Sequence, residues 1–239
     1  IIFLIYSNKF NHFLPNFNKL FKFNYKSFYK VISKCSPLVV VAFLAWTLDI
    51  VGQYWLINNY SSEVSGYFAL LHKISSLVMI GLAAINIVAY ESFNQVDNHE
   101  FNKKAWTIYF KKLKISVLFS IVAIFLILIF QNYIFQWFQI PFSKTTKYTL
   151  FILIIGHFIP VCFGPITIAM TQYGFEIKFT FIYFIAYIIN LIFLNFYDYI
   201  SLYLYLEPLV YAAFSFSISL FIINFSAFII LYQSYIVKK

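Results

Sequence analysis

Apolar residues occur in long blocks in this chain, and short polar stretches rich in lysine separate the blocks. An α-helix rises about 1.5 Å per residue, so about 20 apolar residues are enough to cross a hydrocarbon core of about 30 Å. Six blocks reach that length, at residues 36–56, 64–90, 115–137, 148–171, 178–197 and 206–233. The pattern predicts an all-α fold, a polytopic membrane helix bundle with six transmembrane helices plus the tail of a preceding one.

The composition excludes a water-soluble domain. Of the 239 residues, 62% are hydrophobic and only 10% are charged, whereas a soluble domain averages about 25% charged residues. There are too few polar side chains to cover the surface of a compact globule in water. The net charge of +9 comes from lysine alone, with no arginine. Because arginine is the side chain favoured for bidentate recognition of phosphates and bases, we expect no nucleic-acid partner.

The first 35 residues differ from the rest. The chain opens with a short apolar stretch at 1–6, which is too short to span a membrane and has no basic region ahead of it, as a signal peptide would have. A polar and basic stretch follows at 7–34. We therefore expect 1–35 to be the end of a preceding membrane helix with a basic cytoplasmic connection, and 36–239 to be the six-helix membrane bundle.

The lysines also predict an orientation. Fourteen of the 17 lie on one side of the predicted bundle, mainly in 7–34 and 91–114, and two, Lys144 and Lys147, lie on the other. Loops rich in lysine stay in the cytoplasm, so residues 7–34 and the C-terminus are predicted to be cytoplasmic.

Four of these lysines fall within a narrow arc if 18–31 is helical, namely Lys19, Lys22, Lys26 and Lys30. This spacing predicts an interfacial helix against anionic membrane lipids, and a solvated basic loop is the alternative.

Ionisable residues inside the predicted spans are the candidates for chemistry. Asp49 lies in the first span, and a carboxylate near the bilayer centre costs about 2.5–3.5 kcal/mol unless it faces a partner or a water-filled cavity. Lys73 in the second span is as far from the predicted turn near Ser61 as Asp49 is, and His72 is beside it. The two alternatives are a structural Asp49–Lys73 ion pair and a Lys73 that meets an anionic substrate while Asp49 holds it in place.

The fourth predicted span carries His157 together with Pro160 and Gly164-Pro165, so we expect that helix to bend or break. A broken helix can build a transport site, which makes His157 a candidate, although a packing histidine in a kinked helix is the commoner case. In the fifth span, Asn190 and Asn195 are expected to hydrogen-bond to a neighbouring helix.

Nothing in the sequence predicts an enzyme, a cofactor or a metal site. There is no glycine-rich phosphate loop, no HExxH and no CxxC, and Cys35 and Cys162 are 127 positions apart without metal-ligand spacing.

The stretch Thr47-Leu48-Asp49, followed by residues 63–74 (EVSGYFALLHKI), resembles a family of polysaccharide flippases. These belong to the multidrug/oligosaccharidyl-lipid/polysaccharide exporter superfamily, whose pattern is an acidic residue in the seventh helix and E-V-G-x-Y-x-x-A-x-K-L opening the eighth. With Ser65 as a one-residue insertion, Gly66 and Lys73 fall on the glycine and lysine of that pattern. The chain departs from the family at 206–213, where a G-x-x-G-A-A motif is usual.

The resemblance covers nearly the whole chain as the C-terminal half of such a flippase. It implies a partner N-terminal half, a multi-pass location in the bacterial inner (plasma) membrane, and an undecaprenyl-pyrophosphate-linked oligosaccharide as the substrate for O-antigen-type surface polysaccharide. Lys73 would meet the pyrophosphate, with Asp49, His72 and His157 as further substrate-binding candidates. The alternatives are a multidrug or small-solute exporter of the same superfamily and a membrane-embedded polysaccharide polymerase or ligase.

Overall fold

The computed structural model describes residues 25–94, 103–204 and 206–236. Within these ranges the regular structure is helical, and a 3₁₀ turn at Leu77–Met79 joins the second and third helices. The helices are α1 (Tyr25–Asn59), α2 (Ser62–Ser76), α3 (Ile80–Asn94), α4 (Lys103–Trp137), α5 (Lys144–Phe163), α6 (Ile166–Gln172), α7 (Glu176–Asn195), α8 (Tyr197–Leu204) and α9 (Pro208–Ile236).

Among the described residues, six helical stretches are long and apolar enough to cross a membrane, which confirms the predicted all-α polytopic bundle. By length and composition they are Cys35–Asn59, Ser62–Asn94, Lys103–Trp137, Lys144–Phe163, Glu176–Asn195 and Pro208–Ile236. Their outward faces carry large apolar side chains, and Ile87 and Ile177 are about three-quarters exposed. Such faces are stable against lipid tails and would be unstable in water.

The chain divides into two compact units, residues 1–39 and 40–239. Of the first unit the structure describes 25–39, which are helical. The predicted interfacial helix over 18–31 lies largely outside the described residues, as do the side chains of Lys26 and Lys30 and the C-terminal Lys238-Lys239. That prediction and the assignment of 1–35 to a preceding helix stay predictions.

Side-chain caps fix where two of the helices begin. The Ser61 hydroxyl accepts a hydrogen bond from the Val64 backbone N–H (3.2 Å), which ends the turn after α1 and begins α2. Ser143 and Thr146 form a reciprocal capping box at the start of α5. Each cap satisfies backbone groups that the first turn of a helix leaves without partners.

In the second unit, α9 packs along α5 and α7, α5 packs on α2, and α3 packs on α4. The buried apolar side chains form two clusters. One contains Trp106, Phe179 and Ile223, and the other contains Phe68 and Tyr211.

Buried polar residues occupy the helix positions between the two clusters. This polar layer consists of Asn190 on α7, His157 on α5, and Ser217 and Ser219 on α9.

The expected break in the fourth predicted span is confirmed, because the helix is interrupted at Gly164-Pro165 and a short helix follows to Gln172. Gly164 has a φ of 63°, a left-handed conformation that glycine adopts without strain, and α6 begins after Pro165. Pro160 remains inside α5. The Tyr109 hydroxyl of α4 donates a hydrogen bond to the Phe163 carbonyl, which the break would otherwise leave without a partner.

Close packing of α5 on α9 depends on Gly156. A Cβ at this position would lie 2.3 Å from Ser217 Oγ and 3.3 Å from the Ser217 Cα. Ser217 Oγ is itself hydrogen-bonded to the Ile152 carbonyl of α5 (3.1 Å) and the Ala213 carbonyl of α9 (2.8 Å). The absence of a side chain at 156 therefore lets a serine on one helix reach the backbone of the other.

We expect Gly156→Ala to lower the free energy of unfolding by about 1–3 kcal/mol, because the added methyl forces the two helices apart. Gly66→Ala is the matched control, since a Cβ there meets nothing within 4 Å. Thermal unfolding of the purified protein in detergent measures both. Adding Ser217→Ala to Gly156→Ala removes the 2.3 Å contact and should recover part of the loss. Equal unfolding temperatures for the two glycine variants would contradict the close packing.

Candidate functional site

Asp49 and His72 face each other across α1 and α2. Asp49 Oδ1 lies 3.9 Å from His72 Nε2, and the Asp49 side chain is 50% exposed whereas that of His72 is 3% exposed. The register of the two helices is set by Ser65, whose hydroxyl donates to the Gln53 carbonyl at 2.9 Å. The carboxylate therefore lies at the edge of the bundle with one face toward a buried imidazole.

His157 of α5 completes a cluster with His72. The two imidazole rings are 4.9 Å apart between centroids, and Phe216 of α9 contacts both, at 4.7 Å and 5.3 Å. His157 Nδ1 lies 3.3 Å from the Met79 sulfur, which is a weak partner. The cluster thus joins residues of α2, α5 and α9 at the depth of the polar layer.

Three ring nitrogens in this cluster make no hydrogen bond within the described part of the chain. They are both nitrogens of His72 and Nε2 of His157. A buried polar atom without a partner costs about 1–3 kcal/mol, and most buried polar atoms in native proteins have one. The free nitrogens are therefore available to a water molecule, a proton or a bound ligand.

Lys73 does not occupy the position opposite Asp49 that equal depth predicted. It is exposed, and among the described residues no ion pair joins it to a carboxylate. It remains within electrostatic range of Asp49, His72 and His157. Successive residues on a helix point about 100° apart, so of two neighbours at one depth only one can face α1.

The polar layer contains a second interhelical contact. Asn190 Nδ2 donates to Ser219 Oγ at 2.9 Å, which confirms the expected bond from α7 to a neighbouring helix. The expectation was wrong for Asn195, whose amide donates to the Leu191 carbonyl of its own helix. Asn190 therefore joins α7 to α9, although its Oδ1, like three ring nitrogens of the histidine cluster, makes no hydrogen bond among the described residues.

Chemically, this arrangement suits proton exchange and the binding of an anion. A carboxylate beside two imidazoles can accept and release a proton within the bundle. The exposed ammonium of Lys73 can pair with a phosphate or carboxylate outside the packed core. Among the described residues no three His, Cys, Asp or Glu side chains are grouped closely enough to hold a metal ion.

The sequence alone did not predict Met79 and Phe216 as contacts of the histidines. Both are apolar residues within apolar spans, and only tertiary packing brings them to His157 and His72. The sequence did contain a pattern from which the burial of His72 could have been predicted. Ser65, Phe68, His72 and Ser75 recur at helical spacing and are all buried.

We expect His72→Leu to leave the unfolding temperature unchanged or to raise it, because the substitution removes two buried nitrogens that make no hydrogen bond. Tyr109→Phe is the contrasting variant. It leaves the Phe163 carbonyl at the helix break without its donor and should destabilise the protein by about 1–3 kcal/mol. Both are measured by thermal unfolding in detergent. A loss for His72→Leu as large as that for Tyr109→Phe would make His72 a structural residue.

All four residues proposed from the sequence, Asp49, His72, Lys73 and His157, thus fall in one region of the bundle. No family model, curated protein or solved structure matches the chain. What this region does is therefore inferred from its chemistry and from its place inside a membrane-type bundle.

Proposed function

We propose that this chain is part of a flippase that moves a lipid-linked oligosaccharide, of the undecaprenyl-pyrophosphate type, across the bacterial inner membrane for surface polysaccharide synthesis. The observation that carries the proposal is the grouping of Asp49, His72, Lys73 and His157 at mid-bundle depth. Each of these residues is costly inside a membrane, and intramembrane ionisable residues mark substrate and proton pathways.

In this proposal Lys73 binds the pyrophosphate of the substrate. Its ammonium is exposed and makes no ion pair with the carboxylates of the described residues, so it is available to an anion. A charge-assisted hydrogen bond to phosphate contributes about 1.5–3 kcal/mol. The resemblance of residues 63–74 to the flippase pattern supports the same role for this lysine.

Asp49 and the two histidines supply the step that couples protonation to substrate release. Asp49 is half-exposed and His72 is buried, so a proton shared between them passes from the edge of the bundle to its interior. His157, 4.9 Å from His72 between ring centroids, extends the route to α5. A proton that neutralises this region also changes the electrostatic field at Lys73, which gives a physical link between protonation and substrate release.

We expect Lys73→Ala to reduce transport at least tenfold, because losing a charged contact worth about 1.5–3 kcal/mol exceeds the 1.4 kcal/mol that corresponds to a factor of ten. The measurement is surface polysaccharide, together with lipid-linked oligosaccharide accumulated on the cytoplasmic leaflet. Lys73→Arg should keep most of the activity, and Lys144→Ala, in an exposed loop-end position, is the matched control.

Protein abundance and the accumulation of a cationic dye are measured in the same strains. A flippase changes polysaccharide without changing dye levels, whereas a multidrug exporter does the reverse. Normal surface polysaccharide in a Lys73→Ala strain with normal protein abundance would refute the substrate role of Lys73.

The proposed orientation has 91–114 and the C-terminus in the cytoplasm. In a variant with Cys35→Ser and Cys162→Ser, we expect a cysteine introduced by Lys144→Cys to react with a membrane-impermeant maleimide in intact spheroplasts. Lys111→Cys should react only after the membrane is permeabilised. Both lysines are exposed, so the difference reports the side of the membrane and not burial. The reverse labelling pattern would show that the bundle has the opposite orientation in the membrane.

A further inference from the structure

A polar cavity of about 370 Å³ lies where α1 and α7 end and α8 begins. Ten residues of α1, or about 15 Å of helix, separate Asp49 from Asn59, so this cavity is distinct from the histidine cluster. Its volume falls within the range of about 300–1,000 Å³ that is usual for ligand sites. It is lined chiefly by Trp55, Asn59, Tyr60, Asn195, Tyr197 and Asp198.

The aromatic residues form one rigid wall. Trp55, Tyr60 and Tyr197 meet edge to face, with ring centroids 5.3–6.0 Å apart. Behind them Tyr211 lies 5.0 Å from Tyr197, stacks on Phe193 at 4.9 Å, and donates a hydrogen bond to the Phe193 carbonyl at 2.5 Å. Because every ring is held by another, the wall keeps its shape in the absence of a ligand.

The polar residues around this wall have unused hydrogen-bonding capacity. The amide nitrogens of Asn59 and Asn195 donate back to their own helices, at 2.9 Å and 2.8 Å, which fixes both side chains and leaves their amide oxygens as acceptors. The Asp198 carboxylate makes no hydrogen bond or ion pair with the described residues. Tyr60 is 43% exposed, and its phenol, which is protonated at neutral pH, can donate a hydrogen bond.

An aromatic belt at the membrane surface does not account for this arrangement. Belt residues face outward toward the lipid headgroups, as Trp137 and Tyr148 do at 84% and 61% exposure. Trp55 and Tyr197 are instead partly buried and converge on a shared cavity with two amides and a carboxylate.

The geometry points to a binding site for a neutral sugar ring in this cavity. A pyranose has a C–H face that packs on an aromatic ring, and its hydroxyls both donate and accept hydrogen bonds. The cavity offers an aromatic wall beside acceptors at Asn59, Asn195 and Asp198 and a donor at Tyr60. The inference rests on the proposed function in one respect, which is that the sugar belongs to the transported oligosaccharide.

Two other ligand classes fit less well. A quaternary ammonium cage needs ring faces separated by the width of the cation, whereas these rings are in direct contact. An acidic sugar meets repulsion from Asp198, and the described lining residues include no lysine to offset it. The cavity should therefore prefer uncharged saccharides.

The test measures saccharide binding by the purified protein in lipid nanodiscs, using isothermal titration calorimetry and saturation-transfer-difference NMR. The probes are maltotriose, the N-acetylglucosamine trimer, trigalacturonate and choline. We expect at least one neutral trisaccharide to bind, and Trp55→Ala and Asp198→Ala each to weaken that binding at least tenfold. Tyr199→Ala, an exposed aromatic on the same helix as Asp198 but outside the lining, should leave it unchanged.

The Asp198→Asn variant distinguishes a specific sugar site from a surface that binds saccharides nonspecifically. It keeps an acceptor and removes the charge, so binding of trigalacturonate should rise toward that of the neutral trisaccharides. Because Asp198 is exposed, the variant should unfold at the wild-type temperature, and it remains informative if Trp55→Ala fails to fold. The site is overturned if neither neutral trisaccharide binds, or if choline binds more tightly than they do. It is also overturned if Asp198→Ala leaves neutral trisaccharide binding unchanged and Asp198→Asn leaves trigalacturonate binding unchanged.

The Lys73→Ala variant distinguishes this inference from the proposed function. It should bind the trisaccharide as the wild type does, because Lys73 is not among the lining residues. Trisaccharide binding that depends on Asp198, combined with normal surface polysaccharide in a Lys73→Ala strain, would retain the sugar site and refute the role of Lys73 in transport. Loss of transport in Lys73→Ala without any trisaccharide binding would do the opposite.

Discussion

A hydrocarbon core offers no hydrogen bonds, so each polar group buried in this bundle depends on a partner within the protein. Most of the contacts that hold the helices in register are of this kind. A serine or tyrosine hydroxyl of one helix donates to a carbonyl on another segment in Ser65–Gln53, Ser120–Val78, Tyr109–Phe163 and Ser217–Ile152. Small residues such as Gly156 make these bonds possible by letting the backbones approach.

The histidine cluster departs furthest from this rule, because three of its ring nitrogens make no hydrogen bond among the described residues. Ser217 and Ser219 of the polar layer donate to backbone carbonyls and the Asn190 amide donates to Ser219, whereas both nitrogens of His72 make no hydrogen bond among the described residues. A leucine in the same place would avoid that desolvation cost. Burying the nitrogens of His72 and His157 without partners therefore costs stability, which is consistent with the proton route proposed for them.

The number and apolar character of the spans could be predicted from the sequence, because they depend on local composition alone. The helix ends could not, since α4 begins at Lys103 whereas the predicted span began at 115. The depth of the ionisable residues followed from counting along a hairpin. The residue of α2 that faces Asp49 could not be predicted in this way. A rotation of about 100° about the helix axis exchanges Lys73 for His72 without altering depth. The break in the fourth span was expected from its prolines, but the sequence did not show which of the two prolines interrupts the helix. Pro160 is tolerated inside α5, whereas Gly164 adopts a positive φ that tertiary contacts select.

The aromatic cavity was harder to foresee, since Trp55 taken singly is a typical interfacial residue and only folding brings Tyr197 and Asp198 to it. The position of the cavity bears on which side of the membrane it opens to. The cavity lies at the end of α1 where the chain turns into α2, which is the outer side in the orientation proposed from the lysine distribution. An amphiphile with a charged group at Lys73 would extend its sugars toward that end. Under the proposed function, a sugar site there would favour the outward-facing state, because bound sugar stabilises whichever state exposes the cavity.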